Sequence, residues 1–207
     1  MRALIMAGGA GSRLGRGEKA LVMIKDQPMI RYVVEAYRFA GCEPVVVTSQ
    51  KTPMTANWCR AHGLPIVRTE GDGYIEDMMS AVHTLEENSA LIISVCDIPC
   101  ITATTISRII HEYGARNRDA LSTWVPATLV RSCRGGMPYR EIVGGVEACP
   151  AGVNILRGDL IDTEQEEVML LVPDPGLALN VNTADDLLRA EQYLSGHGEM
   201  TPGSRVE

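Results

Sequence analysis

Short apolar runs alternate with longer amphipathic stretches through the first half of the chain, and this alternation restricts the fold more than any other feature. The apolar runs that predict strands are 3–7, 44–48, 65–69 and 90–96. The stretches with helical spacing between them are 29–40, 53–62 and 74–86. Repeated strand–helix units build a mostly parallel sheet covered by helices on both faces. We therefore predict an α/β protein with a three-layer α/β/α architecture around a Rossmann-like sheet.

The second half continues this pattern less regularly. Further strands are predicted at 120–126, 152–156 and 167–172, and further helices at 102–117 and 184–195. The expected N-caps of these two helices are Thr102 and Thr183. The glycines expected to end helices in a left-handed conformation are Gly41, Gly63 and Gly114. Residues 128–150 are rich in glycine and have no clear period, so we interpret them as an irregular insertion or a hairpin near the acceptor site.

Length and composition exclude several classes of protein. A chain of 207 residues favours one domain, which we place at 1–196, with a disordered tail at 197–207. The net charge of −7 and the aromatic content of 4% disfavour nucleic acid and anionic membranes as partners. No run approaches about 18 apolar residues, so we expect a cytoplasmic protein without a stable membrane anchor. The six cysteines form no CxxC pair, and we interpret them as reduced, buried thiols.

A glycine-rich loop, Gly8 to Gly15, follows the first predicted strand. A GxGxxG dinucleotide fingerprint would need glycine where Leu14 stands, and a Walker A motif would need Gly-Lys-Ser/Thr where residues 17–20 read GEKA. Glycines let backbone N–H groups converge on an anion, and Arg13 and Lys19 add two cations suited to phosphate. The alternative is a tight turn without a ligand, and we interpret Arg16 and Lys25 as solvated charges. The residues predicted to contact nucleotide phosphates here are Ala7, Gly8, Gly9 and Gly11.

Two polar positions follow predicted strands farther along the chain. Asp97 follows the apolar run 90–96, and the carboxyl ends of strands are where open α/β sheets bind ligands. A carboxylate there can hold a divalent cation against phosphate oxygens; the alternative, a helix cap, is better filled by Thr102. Asn180 and Asn182 lie two residues apart on one side of an extended segment, and one of them has the alternative role of tying that segment to the last helix.

The run LIMAGGAGSRLG…EKAL resembles the signature of the nucleotidyltransferase superfamily with a GT-A-like fold, which includes sugar-phosphate, molybdopterin and cobinamide nucleotidyltransferases. The segments GDGYIEDM, VCDIP, PAGVNIL and NVNTADDL follow in an order and spacing similar to the archaeal guanylyltransferases of cobalamin synthesis. This resemblance extends to about residue 195, and 128–150 is the part that it covers least.

The resemblance implies roles for individual residues. Asp97 matches a magnesium ligand, and Asn182 matches a second ligand for metal or phosphate, although a neutral amide there leaves the number of metal ions open. Gly71 and Gly73 lie where the superfamily holds the nucleobase, with Glu76 and Asp77 able to accept the N1 and N2 protons of guanine. The remaining positions implied are Asn180 beside the nucleotide, Gly152 beside nucleotide and acceptor, and Asn154 on the acceptor side.

The implied reaction is the transfer of GMP from GTP to adenosylcobinamide phosphate, a corrinoid acceptor, with release of pyrophosphate. Arg13, Lys19 and a magnesium ion at Asp97 would neutralise charge in this reaction, and no Ser-His-Asp or Cys-His constellation is recognisable. The alternatives are a molybdopterin or other small-phosphate nucleotidyltransferase, or a GTP-binding domain without catalysis. The sequence leaves open whether the chain forms a homodimer.

Overall fold

A computed structural model describes residues 1–9, 15, 17–130 and 139–196. The strands are β1 Arg2–Met6, β2 Met23–Ile24, β3 Gln27–Pro28, β4 Glu43–Ser49, β5 Ile66–Thr69, β6 Ala90–Val95, β7 Ala120–Pro126, β8 Glu141–Val143, β9 Val146–Arg157 and β10 Glu167–Leu171. The helices are α1 Met29–Phe39, α2 Pro53–Ala61, α3 Tyr74–Thr84, α4 Ala103–Gly114 and α5 Ala184–Gly196. A 3₁₀ turn at Lys19–Leu21 precedes β2.

One mixed sheet organises the described residues, with strand order β10-β7-β9-β6-β1-β4-β5 and β8 paired to β9. β6, β1, β4 and β5 are parallel neighbours, whereas β9 runs antiparallel to β6, β7 and β8. The prediction of a mostly parallel sheet is confirmed. The carboxyl ends of the four parallel neighbours therefore meet at one edge of the sheet.

The two faces of the sheet carry different helices. On one face, Ile5, Val46 and Ile92 pack in a core with apolar side chains of α1, α2 and α4. On the other face, Leu4 and Ile93 pack against α3. The alternation of the strand residues between the two cores produces the three layers expected from the sequence, with most of the helical cover on the first face.

The helix ends follow the predicted signals with one exception. Gly41 and Gly63 have φ angles of +75° and +64°, as expected for residues that end helices. Thr102 caps α4, since its side chain accepts a hydrogen bond from the backbone of Thr105. The prediction for Gly114 is wrong: α4 includes this residue and ends through Ala115 in a right-handed conformation at φ −79°, so the helix needs no glycine to stop.

The hairpin interpretation of 128–150 is confirmed for its second part. β8 and the start of β9 form an antiparallel hairpin joined at Gly144 and Gly145, whose φ angles are +59° and +82°. Two successive positive φ angles are what a two-residue hairpin turn requires. β9 is longer than predicted because it continues from this hairpin into the central sheet. Residues 131–138 lie outside the described part of the chain.

A second small hairpin, β2–β3, was not predicted from the sequence. Its turn places Lys25 at a φ of +55°, and Val22 and Ile24 pack with residues of α5 in a separate small core. This core attaches the C-terminal helix beside the segment that follows the glycine loop. The predicted disordered tail at 197–207 lies outside the described residues, among which no helix is long and apolar enough to cross a membrane.

Candidate active site

A cluster of four polar side chains lies at the sheet edge where the parallel strands end. Lys19 Nζ donates to the Asp97 carboxylate and, at 2.8 Å, to Asn182 Oδ1. Asn180 Nδ2 donates to Asp97 Oδ1 at 3.0 Å, and Asn182 Nδ2 donates to Asn180 Oδ1. The structure therefore brings together four of the predicted residues from three distant parts of the sequence.

Burial strengthens the interactions in this cluster. The side chains of Lys19 and Asp97 are 15% and 14% exposed. Charges partly removed from water interact more strongly than surface ion pairs and are costly to leave alone. The cluster therefore presents a cation and an anion in fixed positions, which suits a ligand that carries both phosphate groups and a counter-ion.

The start of α5 holds the two asparagines in place. Asp186 Oδ2 accepts hydrogen bonds from the backbone of Asn182 at 3.1 Å and of Thr183 at 2.9 Å. The Thr183 hydroxyl in turn accepts from the backbone of Asp186 at 3.2 Å, which confirms Thr183 as an N-cap. The backbone of Val181 also donates to the carbonyl of Asp97 at 2.8 Å, so the segment before α5 is fastened beside the end of β6.

Ser49, at the end of β4, connects the glycine loop with the loop after β5. Its hydroxyl donates to the Gly8 carbonyl at 2.7 Å and accepts from the backbone of Lys51 at 3.1 Å. Lys51 Nζ donates to the Gly71 carbonyl. Ser49 and Lys51 were not predicted from the sequence. The signal for Ser49 was its position as a small polar residue at the carboxyl end of a predicted strand, where ligands commonly bind.

The loop after β5 holds the positions predicted to contact the nucleobase. Gly71 has a φ of +82°, and a Cβ atom there would lie 3.2 Å from Ser49 Cβ, so the turn favours glycine. The Asp77 carboxylate accepts from the backbone of Gly71 at 3.0 Å. Gly73 precedes α3, and the Glu76 carboxylate folds back over it. Asp77 is thus already engaged in shaping the loop, which leaves Glu76 as the freer of the two predicted acceptors for guanine.

Tyr74 begins α3 and lies close enough to Asp97 to be affected by its charge. The residue is 43% exposed overall, but desolvation around its hydroxyl, together with the negative charge of Asp97, raises the pKa of the Tyr74 hydroxyl to about 12. The hydroxyl therefore remains protonated at neutral pH and can donate a hydrogen bond beside the cluster.

The two acceptor-side positions lie on β9. Gly152 has a φ of +75°, and a Cβ atom there would lie 2.7 Å from a methyl group of Val95, close to Asp97 in sequence. The β9 strand bulges here, since the pairing between β7 and β9 changes register next to this residue. Asn154 pairs with Ile93 and Ser122 in mid-sheet, about 13 Å along the strand from the level of Asp97. Its contact with an acceptor stays a prediction.

Glu18 is a further residue to which the sequence reasoning gave no role. Its carboxylate accepts hydrogen bonds from the backbone N–H groups of Met54 at 2.8 Å and Thr55 at 2.6 Å, and from the Thr55 hydroxyl at 2.6 Å. The residue directly before Lys19 is therefore bound to the first turn of α2. The signal in the sequence was the acidic residue beside the lysine, but its partners are far away along the chain.

Residues 10–14 of the glycine loop lie outside the described residues, and with them the predicted positions Gly11 and Arg13; Arg16, directly after the loop, lies outside them too. Of the remainder, Ala7 donates from its backbone to the Val47 carbonyl at 2.8 Å, and Gly8 is fixed by Ser49. Gly9 has open space around its α-carbon among the described residues. The predicted phosphate contacts of the loop stay predictions.

The oxygen donors of the cluster fit a magnesium ion that arrives with a triphosphate. Magnesium commonly takes one or two carboxylates and completes its shell with phosphate oxygens and water. Asp97 supplies one carboxylate and Asn182 a neutral amide oxygen; within the described ranges no three His, Cys, Asp or Glu side chains are grouped as a metal site. Lys19 already contacts both of these donors, so a metal ion would compete with its ammonium group for them.

Comparison with known families agrees with the resemblance expected from the sequence. The family model of the MobA-like NTP transferase domain matches residues 3–149. This range includes the glycine loop, Ser49, the Gly71 turn and Asp97. Asn180 and Asn182 lie beyond it, in the part of the chain that completes the polar cluster.

Two curated relatives differ in how much of the chain they match. The chain is 28% identical over 204 residues to an adenosylcobinamide-phosphate guanylyltransferase of Methanocaldococcus jannaschii, covering 96% of this chain and 100% of that protein. It is 24% identical over 119 residues to a molybdenum cofactor guanylyltransferase of Shewanella sediminis, covering 56% of this chain and 59% of that protein. The first match covers enough of the chain to include the α5 region.

Solved structures support the fold. A hypothetical transferase from Thermus thermophilus superposes with a TM-score of 0.69 at 18% identity, covering 90% of this chain and 98% of that one. A CMP:2-keto-3-deoxy-manno-octonic acid synthetase solved with CTP superposes with a TM-score of 0.67 at 16% identity, covering 95% and 98%. The chain therefore shares the fold of these proteins, which agrees with the predicted three-layer, GT-A-like architecture.

Proposed function

The chain belongs to the MobA-like NTP transferase family, and from that premise we propose that it transfers GMP from GTP to adenosylcobinamide phosphate, giving adenosylcobinamide-GDP and pyrophosphate. The observation that carries this proposal is the cluster of Lys19, Asp97, Asn180 and Asn182 at the carboxyl edge of the sheet. It combines a positioned cation with oxygen donors where open α/β sheets bind nucleotides.

The chemistry demands little beyond alignment and neutralisation of charge. A terminal phosphate oxygen of the acceptor attacks the α-phosphorus of GTP in line, a new P–O bond forms, and the bond to pyrophosphate breaks. The nucleophile is already an anion, so no strong general base is needed. Lys19, with Arg13 in the glycine loop, would stabilise the charge that develops on pyrophosphate.

The choice of acceptor rests on the extent of the similarity. The relative named for adenosylcobinamide phosphate matches the chain over nearly its whole length, including the segment that holds Asn180 and Asn182. The relative named for the molybdenum cofactor matches about half of it. A corrinoid phosphate is therefore the acceptor that the similarity favours.

A screen of pyrophosphate release tests this proposal directly. The purified chain is incubated with each of the four ribonucleoside triphosphates and with adenosylcobinamide phosphate or molybdopterin. We expect release only with GTP and adenosylcobinamide phosphate. Release with molybdopterin instead would transfer the assignment to the alternative acceptor. Binding of GTP without release in any combination would support a non-catalytic GTP-binding domain.

We also propose that magnesium accompanies GTP and binds at Asp97, with Asn182 as a neutral ligand. Magnesium would supply Lewis-acid stabilisation of the phosphate oxygens, and Asp97 and Asn182 would orient it. Asp97→Asn should then raise the magnesium concentration that gives half-maximal turnover by about tenfold or more. A thermal-shift titration with magnesium and GTP provides a second readout. Full wild-type activity in the presence of a chelator would refute this role.

The proposed reaction also indicates a location. A nucleoside triphosphate and reduced thiols are both features of the cytoplasm, and the five described cysteines are free and buried. We therefore place the reaction in the cytoplasm, with GTP and the corrinoid phosphate as its partners.

A further inference from the structure

We propose that Glu18 is a positioning residue that holds Lys19 at the active site by binding the first turn of α2. The proposal rests on the proposed transferase function for its kinetic consequences, but its structural part stands independently. Glu18 itself faces α2 rather than the polar cluster, so it acts through its neighbour.

The contacts of Glu18 engage both oxygens of its carboxylate. Oε1 accepts from the backbone of Met54, and Oε2 accepts from the backbone and the hydroxyl of Thr55. The first N–H groups of a helix have no partner within the helix, and the positive end of the helix dipole favours a carboxylate there. Charge-assisted hydrogen bonds of this kind are stronger than neutral ones.

The usual local cap of α2 is engaged elsewhere. Thr52 occupies the N-cap position but makes no side-chain cap bond; its hydroxyl accepts from the backbone of Ser49 at 3.0 Å instead. A residue from far along the chain therefore takes over the capping of α2. A local cap would stabilise α2 equally well. The distant cap has the additional effect that it holds the segment before Lys19 against α2.

The partner of Glu18 is a rigid platform. Thr55, Ala56 and Cys59 of α2 are fully or almost fully buried, and Cys59 belongs to the main core of the sheet. On the other side of Lys19, the backbone of Leu21 donates to the Glu18 carbonyl at 2.9 Å and starts the 3₁₀ turn. Lys19 is therefore held between an anchored residue and an ordered turn, which limits where its ammonium can lie.

The kinetic test uses Glu18→Ala, Glu18→Gln and a double-mutant cycle with Lys19→Ala. Glu18→Ala should lower kcat by about 10- to 100-fold, because small displacements of a catalytic group are costly. KM for GTP should change far less. Glu18→Gln keeps the length of the side chain and one acceptor oxygen, so its kcat should lie between those of the wild type and Glu18→Ala. In the Lys19→Ala background, Glu18→Ala should change kcat by less than about twofold.

A second measurement does not depend on turnover. Lys19 is labelled with an amine-acylating reagent, and peptide mass spectrometry compares it with the exposed Lys25 in the same sample. In the wild type the contacts of Lys19 with Asp97 and Asn182 should protect it. Glu18→Ala should raise the ratio of Lys19 to Lys25 labelling by about threefold or more.

A matched control separates positioning from stability of the helix. Cys59→Ala creates a small cavity under α2 without touching Glu18, so it should lower stability while leaving kcat and Lys19 labelling at wild-type values. Equal effects of Cys59→Ala and Glu18→Ala would overturn the proposal, as would unchanged labelling in Glu18→Ala or an undiminished kinetic effect in the Lys19→Ala background. If the wild type releases no pyrophosphate, the proposed function fails and the labelling ratio alone decides the role of Glu18.

Discussion

Lys19 contacts two oxygens that a magnesium triphosphate would need to approach or replace, Asp97 Oδ2 and Asn182 Oδ1. The other Asp97 oxygen accepts from the amide of Asn180. In the proposed reaction, this position would give Lys19 two successive roles. Before the nucleotide binds, its charge balances Asp97 and keeps the cluster ordered. In the proposed reaction, the flexible stem of a lysine would let the ammonium turn toward the phosphate oxygens, and Asp97 would then hold the magnesium ion.

Lys19→Ala should therefore lower kcat by about 100- to 1000-fold, which is the range for removing a group that stabilises developing charge. The same change at Arg13 is expected to act in the same direction. Turnover is measured by pyrophosphate release at saturating GTP. Lys25→Ala removes the same charge from an exposed turn nearby and serves as the control, with unchanged kcat. Wild-type kinetics in Lys19→Ala would contradict the assignment of this residue to the phosphates.

At the scale of single elements, one carboxylate at the start of α5, that of Asp186, has two structural roles. Asp186 completes the cap with Thr183 and also accepts from the backbone of Asn182. The first job stabilises the helix, as capping residues generally do. The second fixes the direction in which the Asn182 side chain leaves the backbone, and this direction aims its oxygen at Lys19.

Asp186→Ala should thus lower the free energy of unfolding by about 1 kcal/mol and lower kcat/KM by about tenfold through the displaced Asn182. Asp185 is the matched control, because it is an exposed aspartate in the same first turn with the same relation to the helix dipole. Asp185→Ala should leave kcat/KM at the wild-type value. Denaturant unfolding and steady-state kinetics give the two readouts, and equal kinetic losses in both variants would show that Asp186 has no special role in placing Asn182.

The sequence predicts helices and strands well where a regular apolar spacing continues over many residues. It predicts contacts between residues far apart in the sequence less well. Helices α1 to α5 follow from apolar spacing, and Thr102 and Thr183 follow from local capping chemistry. For 128–150 the sequence indicates either an irregular insertion or a hairpin, because the two-glycine turn between β8 and β9 lies in a segment without periodicity. The hydrogen bond from Thr55 to Glu18 could not be predicted, since it depends on how two segments far apart in the sequence pack together in the folded protein.

At the scale of the whole molecule, the uneven cover of the sheet gives the predicted nucleotide and acceptor positions different surroundings. The first core joins α1, α2 and α4 to one face. On the other face, α3 packs in a core whose strand residues come from β1, β4, β5 and β6, with Leu156 of β9 at its border. On the remaining half, Met169 of β10 is 46% exposed and Asn154 lies in mid-sheet. The predicted nucleotide positions border the α3 half, and Gly152 lies where the two halves meet.

The burial of the cysteines across the whole core leads to a prediction about alkaline stability. Burial raises the pKa of the Cys59 thiol from an ordinary value of 9.0 to about 11. Burial, reinforced for Cys96 by Asp97, raises the pKa of the Cys96 thiol to about 12, and burial raises that of the Cys100 thiol to about 12. Above pH 9 the unfolded chain loses these protons while the folded chain keeps them.

Because the folded state then binds more protons than the unfolded state, the free energy of unfolding must fall as the pH rises through this window. Each thiol removes about 1 kcal/mol per pH unit until its folded pKa is reached. Other groups titrate in the same range, so the difference between wild type and Cys59→Ala isolates one thiol. From urea unfolding under reducing conditions, the stability advantage of the wild type over Cys59→Ala should shrink by about 1 kcal/mol between pH 9 and pH 10. A difference that stays constant from pH 8 to pH 11 would mean that the Cys59 thiol ionises equally easily in the folded and unfolded chain.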